Sequence, residues 1–247
     1  MIKKLFLVFA LLFCITISAQ KEMYELRVYE LKFDKPEKVL HDYISNALIP
    51  ALNPQDIYNI GVFEELGDAL PKKIYLFIPY KNMETFQNVF ENLKTDTAFK
   101  NASKSYDTTD EQSFPYETYT TSFFIAFDGF PKVVKPNADD SIFELRIYES
   151  YNEDAFLRKV KMFNESEFKI FEDVGLRPVF FGEQIAGEHM PNLTYLLAFK
   201  DMKDHDLTWE KFGPHPEWQR ISNLPEYANA INNIRRVYLK PVSYSKL

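Results

Sequence analysis

A single cysteine, Cys14, and only seven glycines occur in this chain of 247 residues. Cys14 lies inside an N-terminal stretch read below as a cleaved leader. The mature chain is therefore expected to have no disulfide, no thiolate nucleophile and no zinc held by cysteine. So few glycines leave little material for a phosphate cradle, and no G-x-S-x-G, P-loop or G-x-G-x-x-G is found. Nucleotide cofactors are not expected. The four histidines (His41, His189, His205, His215) make no H-x-H, H-x-x-x-H or H-E-x-x-H spacing, so no metal centre is expected. The acidic stretch Asp107 to Glu117 lacks the spacing of a calcium loop and reads as a solvated connection.

Residues 1–19 have the pattern of a secretory leader. Lys3 and Lys4 are followed by an almost unbroken apolar run, Leu5 to Ile17, and by Ala19 as a small residue for cleavage before Gln20. The run is shorter than the ~20 residues that span a bilayer, which argues against an anchor and for a mature chain without a membrane span. Bulky Phe13 before Cys14 disfavours a lipoprotein signal, and the lack of arginine a mitochondrial presequence. The expected location is the periplasm or the extracellular space. Losing two lysines from a net charge of −7 leaves the mature chain at −9, which disfavours nucleic acid and anionic membranes as partners.

What the chain has is a near-repetition. Tyr24-Glu25-Leu26-Arg27-Val28-Tyr29-Glu30 returns 119 positions later as Phe143-Glu144-Leu145-Arg146-Ile147-Tyr148-Glu149. The same offset carries Phe90 onto Trp209 and Phe99 onto Trp218. An offset held from residue 24 to about 103 reads as a tandem duplication of a small domain. Residues 20–130 form the first unit, 131–141 a proline-rich linker and 142–247 the second.

Each unit reads as β-α-β-β-α-β. In the first, strands are expected at 23–31, 57–63, 73–79 and 119–127, with helices at 36–52 and from Asn82 onward. A polar loop is expected from Ser103 to Glu117. In the second, strands at 142–149, 177–183, 193–200 and 234–240 flank a helix over 154–174 stopped by Gly175. A second helical region begins near Asp201 and breaks at Gly213-Pro214. The fold class is α+β: two ferredoxin-like split β-α-β units packed sheet to sheet as an α/β barrel within one chain.

The opening motif of each half resembles the NIPSNAP family of the dimeric α+β barrel superfamily. So do Leu196 to Met202, Trp209, Phe212, Pro216-Glu217-Trp218 and the ending Val237 to Pro241. The likeness covers the mature chain and is fuller in the second half. One departure is His215, where the family often has an acidic residue before Pro-Glu-Trp. The resemblance implies the fold and leaves the reaction open, since the wider superfamily includes small-molecule monooxygenases, haem-handling enzymes and isomerases.

Glu25, Arg27 and Tyr29 share one face of their strand, as do Glu144, Arg146 and Tyr148. With Leu26 and Val28 assigned to the helices, these charges are expected in the middle of the barrel, where they must be paired. Glu25, Arg27 and Tyr29 read as a structural lattice. The second half holds the candidate ligand residues: Arg146, Glu144, Tyr148, Trp209, His215 and Trp218. Arg146 is expected to hold a carboxylate or enolate, and His215 to exchange a proton or, more simply, to cap a helix. No cofactor is predicted, with haem left open. Two functions follow. The first is a non-catalytic binding or interaction protein, with a protein partner or an oligomer open. The second is a pocket or enzyme for a small apolar or aromatic ligand, set between sheet and helices of the second half.

Overall fold

A computed structural model describes residues 20–247 of the chain. The expected leader lies outside the described residues. Eight strands form the framework: β1 (Met23–Leu31), β2 (Gly61–Glu65), β3 (Lys73–Tyr80), β4 (Tyr116–Ala126), β5 (Ile142–Glu149), β6 (Arg177–Ala186), β7 (Asn192–Phe199) and β8 (Asn233–Pro241). They close into one antiparallel barrel in the order β1-β3-β2-β8-β5-β7-β6-β4. Closure leaves no free sheet edge. Within each half the pairing is the same. Arg27 lies opposite Leu76 as Arg146 lies opposite Tyr195, again 119 positions on. The seams joining the halves are β2 to β8 and β4 to β6.

Helices cover the outside: α1 (Lys38–Asp42), α2 (Ile49–Leu52), α3 (Met83–Thr95) and α4 (Thr97–Asp107) over the first half, and α5 (Glu153–Met162), α6 (Phe168–Val174), α7 (Met202–Phe212) and α8 (Pro216–Ile221) over the second. A π-helical segment joins α1 to α2 at Tyr43–Leu48, and another joins α5 to α6 at Phe163–Glu167. Pro50, which has no N–H to donate, follows the first of them at the start of α2. Gly175 ends α6 in the left-handed conformation at φ 84°. Among the described residues no helix is long and apolar enough to cross a membrane.

Two stretches differ from the sequence reading. The expected polar loop from Ser103 is helical to Asp107, because the Asp96 side chain caps α4 and Tyr106 anchors it by stacking on Tyr43. Strand β2 starts at Gly61 rather than Ile57, since Asp56 and Asn59 both take positive φ and break the extended backbone.

The larger correction concerns which way the charged faces point. Leu26 and Leu145 face the barrel interior with Tyr24, Phe77, Phe124, Phe143 and Phe180. Glu25, Arg27 and Tyr29, with Glu144, Arg146 and Tyr148, face outward beneath the helices. The alternation is as expected and its direction is opposite. Inward side chains of an eight-stranded barrel converge on a narrow axis that they can just fill, and apolar groups fill it at least cost. The charged groups lie instead where helices supply partners.

Candidate functional site

The two Glu–Arg pairs are built differently. On β1, Arg27 holds Glu25 through Nε to Oε1 at 2.5 Å and Nη2 to Oε2 at 3.2 Å. Tyr80 donates its hydroxyl to the same carboxylate at 2.8 Å and Thr121 does so at 3.1 Å. Phe90 and Tyr119 each lie 5.6 Å from the guanidinium. Burial works against the Arg27 charge, Glu25 outweighs it, and the pKa ends well above the ordinary arginine value. This is a completed ion-pair lattice.

On β5 the equivalent pair is looser. Arg146 Nε stands 3.0 Å from Glu144 Oε1 without the alignment of a hydrogen bond, and neither atom has another partner. Glu144 Oε2 accepts the Trp209 indole N–H at 2.8 Å and lies 3.3 Å from His205 Nε2. Arg146 Nη1 donates to the hydroxyls of Tyr148 and Tyr195, each at 3.3 Å, and its guanidinium carbon sits 4.0 Å from the centroid of a Trp209 ring. Burial opposes this guanidinium too, yet Tyr195, Tyr148 and Glu144 together raise its pKa.

Beside this cluster lies a second buried ion pair, Lys159 to Glu167, spanning the π-helical segment. Lys159 Nζ is 4.5 Å from the Phe163 ring and 5.5 Å from that of Trp218. Burial raises the Glu167 pKa, with Lys159 pulling it back. The positions 119 earlier are Leu40 and Leu48, both buried in the first-half core.

The structure thus brings together Glu144, Arg146, Tyr148 and Trp209, with Trp218 one layer away across Lys159. His215 stands apart as the N-cap of α8, where its Nδ1 accepts the Glu217 N–H at 3.3 Å and its Nε2 lies 3.7 Å from Asp173. Asp96 caps α4 at the matching position. The histidine beside the charged pair is His205, four residues before Trp209 on the same face of α7. That spacing was the available signal for it. For Lys159 and Glu167 the signal was a charge standing where the first half has leucine.

This layer is packed shut. Phe171, Phe212 and Trp209 meet edge to face at 5.4–6.1 Å, and Phe181 stacks on Tyr195 at 4.7 Å. His205 presents Nε2 to Glu144 and Nδ1 to Asp206, so both of its ring nitrogens face carboxylates.

Open space lies on the barrel axis instead. Strands β1, β2, β5 and β6 run the same way, and at their C-terminal ends the interior opens into a cavity of about 370 Å³ that all eight strands line. Leu26, Leu145 and Phe124 make its floor. Val28, Ile147 and Val237 are half-buried in its wall. The other end is plugged by Tyr24, Phe77 and Phe180, with Phe77 and Phe180 stacked at 4.6 Å. The barrel is a cup. Its rim is held by a buried amide network: Asn192 Nδ2 donates to Gln184 Oε1 at 2.8 Å and to the His189 carbonyl at 3.0 Å, and Gln184 Nε2 donates to the Glu188 carbonyl at 2.7 Å. Gly187 turns there with φ 135°, and a Cβ on it would meet Ser122 Oγ at 2.5 Å.

Glu37, His41 and Glu64 form a trio with metal-ligand spacing on the first half. Lys72 already lies between the carboxylates, 2.6 Å from Glu37 and 3.3 Å from Glu64, and His41 shares a hydrogen bond with Tyr244 at 2.6 Å.

Residues 143–246 match the NIPSNAP family model. No curated protein matches the chain in sequence. Among solved structures, a protein of Fusobacterium nucleatum provisionally described as a monooxygenase aligns at 12% identity and TM-score 0.57, covering 91% of this chain and 94% of its own. A protein of Lactobacillus acidophilus with the same provisional description aligns at 9% identity and TM-score 0.59, covering 90% and 94%. Chlorite dismutase of Candidatus Nitrospira defluvii aligns at 6% identity and TM-score 0.50, covering 90% and 92%. At such identities the likeness is one of fold: an α+β barrel of the ferredoxin-like kind.

Proposed function

Proceeding from a NIPSNAP domain at residues 143–246, we propose that the protein is a non-catalytic binding protein that holds a small molecule in the cup at the barrel mouth. One observation carries this reading: an open cavity with an apolar floor, a polar rim and walls from every strand. Binding rather than catalysis is supported by the pairing of the buried charges with one another, Arg27 with Glu25 and Lys159 with Glu167. The scaffold is read as a tandem duplication, residues 20–130 and 142–247 about a linker at 131–141, supported by the constant offset and the identical strand pairing. Export, with a mature start near Gln20, rests on the leader pattern alone. The test is mass spectrometry of the natively purified protein beside an Ile147→Trp variant that fills the cup. A bound mass lost in the variant supports the reading, and retention in both overturns it.

A second reading keeps the ligand between sheet and helices of the second half. It is favoured by three buried atoms without hydrogen-bond partners in one place: Glu144 Oε1, Arg146 Nε and His205 Nε2. A small polar molecule there would complete them, and α7 would have to move to admit it. Loss of the bound mass in Arg146→Met, with Ile147→Trp unaffected, would select this site. A protein partner is a third use of the same scaffold, and co-purification of a stoichiometric chain would reveal it.

A further inference from the structure

The charges at the barrel mouth are unbalanced in a way that specifies a guest. Two cations line it, and each is already engaged: Lys73 with Glu30 at 3.3 Å, and Arg235 with Glu149 at 2.6 Å. Arg235 also points Nη2 at His189 Nδ1, 2.9 Å away. Two further carboxylates line the same mouth, Glu65 and Glu188. Glu65 accepts the Tyr75 hydroxyl, and among the described residues neither has a cationic partner within ion-pair distance. Below them Val28 and Ile147, then Leu26, Leu145 and Phe124, give the well apolar surface on several sides, with the hydroxyls of Thr120, Ser122 and Thr194 set among them. Uncompensated negative charge above an apolar well suits one kind of molecule.

We infer that the cup takes a small amphiphilic cation, an amine with a compact aromatic or aliphatic body, its body in the well and its ammonium at the mouth, in the field of Glu65 and Glu188. This rests on the cup being the binding site. An anion of the same shape meets the unpaired carboxylates and is repelled. A neutral isostere gains the apolar burial and lacks the charge attraction. The rim is fixed beforehand by the Asn192 and Gln184 amides, so little ordering accompanies binding.

Calorimetric titration of the full mature chain with 2-phenylethylamine, 2-phenylethanol and 3-phenylpropionate tests this. The amine should bind about tenfold more tightly than the alcohol, a gap of about 1.4 kcal/mol, and the carboxylate should bind weakest. Raising salt should shrink the gap, because the rim is open to solvent. Glu188→Gln, an exposed change, should bring amine and alcohol together, and Ile147→Trp should abolish binding of both. Equal binding of all three probes, each lost in Ile147→Trp, overturns the cation assignment and leaves the cup standing. Probe binding that Ile147→Trp does not touch, or no binding of any probe, overturns the cup and the assignment with it.

Discussion

The Arg146 guanidinium sits 4.0 Å from a ring of Trp209, while Arg27 at the matching position is 5.6 Å from Phe90. Trp209 also donates to Glu144, a bond that phenylalanine cannot make. The indole therefore stands where the first half has only a ring, and Glu144 keeps an N–H donor there, whereas Glu25 relies on Arg27 with the Tyr80 and Thr121 hydroxyls. Removing each arginine should expose the difference. Arg27→Met strips Glu25 of a bidentate partner in a buried site and should cost about 3–5 kcal/mol. Arg146→Met leaves Glu144 with the Trp209 N–H and His205 close by, and should cost about 1–3 kcal/mol. Urea unfolding of the two variants decides it. Equal losses would mean that both arginines serve the lattice alike.

The pair Lys159 and Glu167 makes a sharper case, because the first half shows what else fits there. Either single change, Lys159→Leu or Glu167→Leu, should destabilise by about 3–5 kcal/mol, since it leaves one buried charge unpaired. The double variant recreates the Leu40 and Leu48 pattern and should be neutral or stabilised by about 1–4 kcal/mol. A double-mutant cycle measured by denaturant unfolding gives the coupling directly. Additive losses would contradict the burial argument.

His215 should behave as a cap. His215→Ala should cost about 0.5–2 kcal/mol and leave ligand retention unchanged, while His215→Asn keeps a capping side chain and most of the stability. A loss of ligand with unchanged stability would return His215 to the binding site.

Alkali should unfold the protein abruptly. Burial, ahead of neighbouring charges, raises the pKa of Tyr24, Tyr29, Tyr80, Tyr148 and Tyr195 above the ordinary phenol value. A folded-state pKa above the unfolded one means stability that is full below pH ~10 and falls as pH rises past it. Phenolate absorbance should therefore rise partly near pH 10, from exposed tyrosines, with the rest appearing only as circular dichroism is lost. Smooth ionisation of all fifteen tyrosines in a folded chain would contradict the burial seen here.

The isolated segment 142–247 should not persist as a monomer. It would expose Phe143, Leu145, Leu196 and Leu239 and leave β6 and β8 without β4 and β2. Light scattering should find a dimer or larger species, and a stable monomer would show that the halves do not depend on each other.

Much of the fold could be read from residue order. Strand alternation, the Asn82 cap and the Gly175 stop each rest on a local rule, and the constant offset lets one half be read against the other. The direction of the Glu-x-Arg-x-Tyr face could not be read that way. Alternation says that Glu25 and Leu26 part company, and only closure of all eight strands says which one goes inside. The cup escaped for the same reason. Glu65, Glu188 and Arg235 are far apart in sequence, and nothing local marks their meeting at one end of the barrel. His205 is legible through its helical spacing from Trp209, and Lys159 and Glu167 through comparison of the halves, where they stand in place of Leu40 and Leu48.

Closure of the barrel within one chain has a consequence for how such a protein can change. In a barrel closed by two identical chains every substitution is made twice, and a pocket on the axis is bound to twofold symmetry. Here Gln184 stands at the position matching Glu65, and Asn192 at the position matching Lys73. Each side of the axis has been free to acquire its own chemistry, so the cup can fit a guest with two unlike ends without leaving half of its groups idle.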